Sequence, residues 1–426
     1  MTSYPDAMST ASLDASSTWQ QRYGQSLMGV FGTPQDLLVQ GRGCWVTDAD
    51  GRELLDMLGG IAVNALGHSH PALSRALGEQ LQRMGHISNL FASVPQMRLA
   101  EMLLSAAEAP AGSSVFFANS GSEANEAALK AVLRHRHETG KSRILALEGG
   151  FHGRTIGALS LTHKPAFREP FGDLIDGIEF LPFNDADALE HRFDDDVAGI
   201  VLEPIQGEAG VKPLAPEYLL RARELADQHE ALMVLDEVQT GIGRTGEWFR
   251  FQGVNRTLSA LGSPGIAPDL MTLAKGLGSG IPIGALVAFG STSSTLLGAG
   301  QHGSTFGGNP LAALAGQVTL ETIQAEGLLD SVSAVGARLA EELRALPQTA
   351  EVRQFGLHIG ADLVLPDSIS AGDVVACARE HHGLIINATG HATLRLAPPL
   401  TLSHEEADEA VARLAAALTR LTKESA

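Results

Sequence analysis

The sequence predicts an α/β protein, a mostly parallel sheet covered by helices, followed by a smaller α+β unit. Two observations carry this expectation. From about residue 112, short apolar runs alternate with helical stretches: Ser114–Ala118, 143–146, 199–203, Leu232–Asp236 and 270–275. Strand–helix alternation of this kind implies parallel strands with both faces covered. The runs also lead into polar residues, Asn119-Ser120-Gly121-Ser122, Glu203, Asp236 and Lys275, at the carboxyl ends where such sheets bind ligands.

The 426 residues are 44% hydrophobic, enough for two or three units around a large core. Thirty basic against forty-nine acidic residues give a net charge of −19. That balance opposes nucleic acid and anionic membranes as partners. No apolar run approaches the roughly 18 residues of a membrane span, so a soluble protein is expected. Cys44 and Cys377 lie far apart, which points to neither a disulfide framework nor a zinc site and fits a reducing cytoplasm. Residues 1–18 are rich in Ser, Thr and Ala, with no basic start, and read as a frayed tail rather than a secretory signal.

Residues 19–75 read as an N-terminal arm. Apolar runs at 43–46 and 53–58 flank the acidic turn of Asp48, Asp50 and Gly51, a hairpin signal. A glycine-bearing loop then leads into a helix ending near Met84. His68 and His70 stand two apart with no third ligand nearby, which favours loop packing over a metal, and no metal is expected. Residues 76–309 should form the large unit, with 253–267 as a long Gly/Ser-bearing surface loop. Residues 310–426 should form the smaller one, joined by the arm: helical from Leu311 to Ala345, β-rich near 355–364 and 384–396, then a last helix. That helix opens on a capping box, Ser403 and Glu406, and repeats Ala410, Val411, Leu414, Ala417, Leu418 and Leu421 at helical spacing.

Several residues carry chemistry. Ser120-Gly121-Ser122 lies between a strand and a helix, where free N–H groups at the positive end of the dipole hold a phosphate; an ordinary Ser-Gly cap looks the same. Two nucleotide-like signals fail in context. GIGRTG at 241–246 fits GxGxxG but begins several residues past the strand and opens no clear helix, and TGKS at 139–142 has His135 where a P-loop needs glycine. Lys275 follows a buried run and precedes glycines at 276, 278, 280 and 284. A Lys-Gly pair commonly starts a surface loop; at the end of a buried strand, desolvation would favour the neutral amine that condenses with an aldehyde. Asp236, at another strand end, requires a positive partner, and a protonated pyridine nitrogen is one. Phosphate site, amine and acid together fit pyridoxal phosphate.

Seven motifs then stand in order: SGSEANEAALK (120–130), GGFHGRTIGALSLT (149–162), LEPIQGEAGVKP (202–213), LDEVQTGIGRTGEWF (235–249), LAKGLGSGIPIGA (273–285), QHGSTFGGNPLA (301–312) and LRLAPPL (394–400). Over roughly residues 19–420 they resemble the class III, ω-amino-acid aminotransferases. The resemblance implies a fold type I transferase, with a large domain built on a mostly parallel seven-stranded sheet, and pyridoxal 5'-phosphate as cofactor. It implies Lys275 as the lysine joined to the cofactor, Asp236 as the pyridinium partner, and Ser120, Gly121 and Ser122 at the phosphate. Phe151 and Val238 would hold the two ring faces, Gln239 would lie near the ring hydroxyl, and Glu237 counts among the cofactor's neighbours. A homodimer with shared active sites is implied, Thr305 reaching the neighbouring cofactor phosphate and Ser304 the substrate there. Arg154 and Arg395 would bind substrate carboxylates, with Glu208 pairing Arg395 for the donor and releasing it for 2-oxoglutarate. The motifs lie nearest the branch using N-acetylornithine as donor; Ile61, where ornithine-specific relatives tend to carry tyrosine, argues against free ornithine. Succinylornithine, 4-aminobutyrate or ornithine as donor, and a mutase of the same fold, stay open.

Overall fold

The acidic turn of the arm folds as a hairpin because Asp48 holds it. In the computed structural model its carboxylate accepts hydrogen bonds from the backbone N–H of Asp50 (3.0 Å) and Arg52 (2.8 Å). The strands β1 (Leu38–Arg42), β2 (Trp45–Asp48) and β3 (Glu53–Asp56) pair antiparallel around that turn. The structure describes residues 16–424. Most of the expected tail lies outside the described residues, but its last three residues already belong to a helix, Ser16–Ser26.

The central sheet draws all its strands from residues 114–288. In chain order these are β4 (Ser114–Ala118), β5 (Arg143–Leu147), β6 (Ile178–Leu181) and β7 (Val197–Leu202). After a short ribbon of β8 (Ile205–Gln206) and β9 (Lys212–Pro213) come β10 (Leu232–Asp236), β11 (Leu270–Leu273) and β12 (Gly284–Ala288). Seven of them align as β4-β12-β11-β10-β7-β5-β6. The pairs from β6 to β11 are parallel, and β12 runs antiparallel to both its neighbours. Every residue of β7, β10, β11 and β12 is buried. Burial on both faces removes the alternation of polar and apolar residues, which is why these strands read as continuous apolar runs.

Two expectations are corrected here. Lys275 is not the last residue of a strand: β11 stops at Leu273, whose ladder partner Ala285 follows the first residue of β12. Because β12 returns so soon, the chain must leave the sheet, and Lys275 opens a 3₁₀ turn with φ +45. The supposed loop 253–267 is mostly helix, Arg250–Ala260. Its Phe251, Val254 and Leu258 are buried at helical spacing, while the Gly, Asn, Thr and Ser between them gave the segment its loop-like composition.

Beyond residue 309, helices Pro310–Ala325 and Leu328–Arg344 are separated at Gly327, whose φ of +62 ends the first. Then come β13 (Thr349–Phe355), β14 (His358–Leu363), β15 (Leu384–Ile385), β16 (Asn387–Ala388) and β17 (Thr393–Leu396). They form the sheet β13-β14-β17-β16, except that β15 joins the arm, Leu384 pairing in parallel with Leu55 of β3. The expected capping box forms: Glu406 N–H donates to Ser403 Oγ (3.1 Å), and Ser403 N–H to Glu406 Oε2 (3.0 Å). Among the described residues no helix is long and apolar enough to cross a membrane.

Helix Leu328–Arg344 rides directly on the β13–β14 turn. A Cβ at Gly336 would lie 2.0 Å from the Gly356 carbonyl oxygen. Gly336→Ala must therefore lift the helix, and a destabilisation of about 1–3 kcal/mol is expected from overpacking of this kind. A denaturation midpoint equal to wild type at unchanged slope would contradict that packing.

Candidate active site

A cavity of about 320 Å³ opens at the carboxyl ends of β4, β7 and β10 and beside the turn after β11. The helix Gly121–Thr139 points its first turn into it. Ser120 caps that helix, its Oγ accepting from Glu123 N–H at 3.2 Å, and the next amides have no carbonyl one turn back. Glycine is required at 121, because a Cβ there would stand 2.8 Å from Val238 Cγ1. Val238 can thus press on the cavity from one side, and Phe151 also lines it.

Asp236 is 4% exposed, and both of its carboxylate oxygens have partners. Oδ1 accepts from Val238 N–H (3.0 Å); Oδ2 accepts from Asn125 Nδ2 (2.8 Å) and lies 2.7 Å from His152 Nδ1. Burial would lower the pKa of His152, but the hydrogen bond and charge of Asp236 outweigh it and raise it. The buried carboxylate is thus met by an amide N–H and by an imidazole whose protonated form it favours. Asn125 and His152 escaped the sequence reading, although both lie inside the quoted motifs. Glu203 stands beside them, accepting from Phe151 N–H at 2.8 Å. Burial, with the charge of Asp236 adding, pushes its pKa up to about 7.

Half-buried Lys275 faces the same space. Burial lowers its pKa and the charge of Arg395 adds to this, while Glu208, Asp236 and Glu203 oppose. The result is an amine biased toward its neutral, nucleophilic form. Arg395 is 1% exposed and pairs through Nη1 with Glu208, which is 37% exposed. Its Nη2 donates to Asn387 Oδ1 (2.9 Å), Nη1 lies 3.5 Å from Gln239 Oε1, and Nε is buried without a partner. Gln239 occupies its place only because residue 207 is glycine: a Cβ there would meet Gln239 Oε1 at 1.6 Å.

The remaining expected residues are placed differently. Glu237 follows Asp236 but turns away, its carboxylate accepting from the N–H groups of Arg250 and Phe251 (2.9 and 2.8 Å). It caps the helix Arg250–Ala260 and is not a neighbour of the cavity, because consecutive residues at a strand end face opposite ways. Arg154 is exposed and does not line the cavity; its guanidinium stacks 3.4 Å from the ring centre of Phe167 and 5.6 Å from that of Phe151. Ser304 lies beside its own chain's cavity, Asn119 Nδ2 donating to its Oγ at 2.9 Å, while Thr305 is exposed. GIGRTG forms a turn whose Arg244 is buried and donates to the carbonyls of Leu357 and Pro398, so it clamps two segments together. His68 is taken up by Asp56 (2.9 Å).

The family model for aminotransferase class-III matches residues 33–418. The acetylornithine aminotransferase of Bifidobacterium longum is 44% identical over 418 residues, covering 93% of this chain and 95% of that protein. A crystal structure of N-acetylornithine aminotransferase from Stenotrophomonas maltophilia aligns with TM-score 0.77 and 36% identity over 93% of this chain and 99% of that one. Ornithine aminotransferase from Toxoplasma gondii, solved with partially occupied PLP at its active site, aligns with TM-score 0.88 and 29% identity over 97% and 96% of the two chains.

The raised pKa of Glu203 has a sign that can be measured. The folded chain holds this proton more tightly than the unfolded chain, so the stability it contributes is complete below the ordinary value of 4.5 and lost as pH rises through about 7. In the cofactor-free protein, Glu203→Gln should therefore gain stability relative to wild type from pH 4.5 to about 7 and then level off. Denaturation midpoints of both proteins across that window check it; a constant difference would refute it.

Proposed function

The chain belongs to the class-III aminotransferases, and we propose that it transfers the terminal amino group of N-acetylornithine to 2-oxoglutarate. The products are N-acetylglutamate 5-semialdehyde and glutamate. One observation carries the reading: a buried arginine, Arg395, lies near enough to the biased-neutral Lys275 to lower its pKa further, and it is paired with the more exposed Glu208, which lines the same cavity as the lysine. The names of the relatives, acetylornithine and N-acetylornithine aminotransferase, agree with it.

The residues present fit pyridoxal phosphate, the cofactor of this family. The helix start at Ser120, Gly121 and Ser122 suits its phosphate, the space lined by Phe151 and Val238 its ring, and the buried acid Asp236 its nitrogen. When bound, it supplies an aldehyde for the amine and a ring that takes up the electron pair left as the donor carbon loses a proton. Asn125 and His152 fix the orientation of Asp236, whose carboxylate would pair with the ring nitrogen. Lys275 would tether the cofactor through Nζ and, as a free amine, would take the proton from the donor carbon and return it in the reverse half. Burial in the cavity lets that amine accept a proton and return it.

Selection between substrates is assigned to the charges. Arg154 takes the single carboxylate of N-acetylornithine while Glu208 neutralises Arg395, so that no buried cation is left unpaired. 2-Oxoglutarate brings a second carboxylate, which replaces Glu208 at Arg395. The acid moves and the arginine stays: Glu208 is 37% exposed and Arg395 only 1%. The reading extends to a cytoplasmic homodimer in which Thr305 reaches the cofactor phosphate, and Ser304 the substrate, of the neighbouring subunit.

The visible absorbance of the loaded enzyme should bleach with N-acetylornithine and return with 2-oxoglutarate; no bleaching with any ω-amine sinks the proposal. Lys275→Ala should lower kcat by roughly 10³-fold or more, since both tether and proton carrier are lost. Phe167 holds Arg154 by stacking alone, so Phe167→Leu should raise KM for N-acetylornithine roughly two- to fivefold, the worth of an exposed cation–π contact. An unchanged KM would show that the stack does not position the arginine.

A further inference from the structure

We propose that His358 is a positioning residue for the acceptor half of the exchange: its Nε2–H draws Gln239 Oε1 away from Arg395, leaving Glu208 as the one acid that 2-oxoglutarate must displace. The inference rests on the proposed aminotransferase reading. Its ground is a buried network that no step of that mechanism uses.

Strand register brings the residues together. Gly360 of β14 pairs with Arg395 of β17, and His358, two residues earlier, lies on the same face as a diagonal neighbour. Glycine at 360 lets the turn that carries Glu208 approach the strand: a Cβ there would lie 2.5 Å from the Gly210 carbonyl oxygen. His358 is wholly buried and its Nε2 stands 3.1 Å from Gln239 Oε1, nearer than Arg395 Nη1 at 3.5 Å. A carbonyl oxygen shared between two donors sits closer to the one that holds it more firmly. Here that donor is the imidazole.

The geometry also settles the tautomer. His358 Nδ1 is buried with no partner, so a proton there would be stranded, and the ring donates from Nε2. Burial lowers the pKa of His358 well below its ordinary value, and the charges of Arg244, Arg395 and Lys275 add to this, which keeps the ring neutral. A neutral donor is what the site needs. An imidazolium beside Arg395 would weaken the hold of that arginine on its site; an apolar side chain would free Gln239 Oε1 to move onto Nη1. Gln239 would then become a second acceptor on Arg395, to be broken before a dicarboxylate could bind. Its amide N–H groups, which help keep Glu208 charged, would also lose their fixed orientation.

The test compares wild type, His358→Leu, His358→Met and His358→Gln as loaded enzymes. KM is measured for both substrates. Binding of glutarate, a dicarboxylate without the reactive carbonyl, is measured by calorimetry. The two apolar variants should raise KM for 2-oxoglutarate and Kd for glutarate roughly five- to tenfold, the effect of one more hydrogen bond to break at Arg395, with KM for N-acetylornithine within about twofold. His358→Gln, whose amide N–H can donate from near the Nε2 position, should restore both dicarboxylate values. Equal shifts for donor and acceptor, no shift in the apolar variants, or no rescue by glutamine would each overturn the proposal. If wild type fails to exchange with 2-oxoglutarate, the aminotransferase reading falls, while glutarate affinity across the variants still decides the role of His358.

Discussion

Asp236 places an acid at the end of a fully buried strand, and the surroundings of the cavity are arranged to pair it. A polar group in such a place is costly without partners. His152 and Asn125 supply them, and each arrives on a different element: one on the segment after β5, the other on the helix after β4. The strand order β4-β12-β11-β10-β7-β5 sets these carboxyl ends within reach of one another. Sheet and polar pairing are therefore one constraint. The same burial biases Lys275 toward the amine and raises the pKa of Glu203.

A second electrostatic arrangement lies where the central sheet meets the C-terminal one. Arg395 comes from β17, Glu208 from the β8–β9 turn, Gln239 from beyond β10 and His358 from β14. Arg244 fastens the junction by donating to the carbonyls of Leu357 and Pro398, which flank the segments carrying His358 and Arg395. GIGRTG, so close to a dinucleotide fingerprint, thus holds backbone carbonyls. A nearly fully buried arginine with only one mobile acid beside it is costly unless that acid is replaced by another. In the proposed function, this is the physical basis for choosing substrates by their number of carboxylates.

The fold was largely legible because a parallel sheet buried on both faces must be written in unbroken apolar runs. β4 and β10 could be bounded to the residue, whereas β6 was missed: Ile178–Leu181 is only four residues long, interrupted by Glu179 and mostly half-buried at the sheet edge. The helix Arg250–Ala260 was hidden by its own composition, since Asn255, Thr257 and Ser259 on its outer side and the buried Gly253 stand among the apolar residues Phe251, Val254 and Leu258 that define it. In the site, Lys275, Asp236, Arg395 and Glu208 could be named from their motifs. Glu237 could not be separated from Asp236, because adjacency in sequence says nothing of the side to which each carboxylate turns.

By itself the sequence determined which chemical groups are available and where the chain can end a strand, begin a helix or bring backbones close. Those properties are local: an apolar run, a Ser-Gly cap, a glycine whose missing Cβ makes room for Val238. Tertiary structure alone decided which groups act on one another. His152 reaches Asp236 across 84 residues, Glu208 reaches Arg395 across 187, and His358 reaches Gln239 across 119. Charge, desolvation and hydrogen bonding act through space over a few ångströms, so the bias of Lys275 and His358 toward their neutral forms was fixed only when the sheets closed around them.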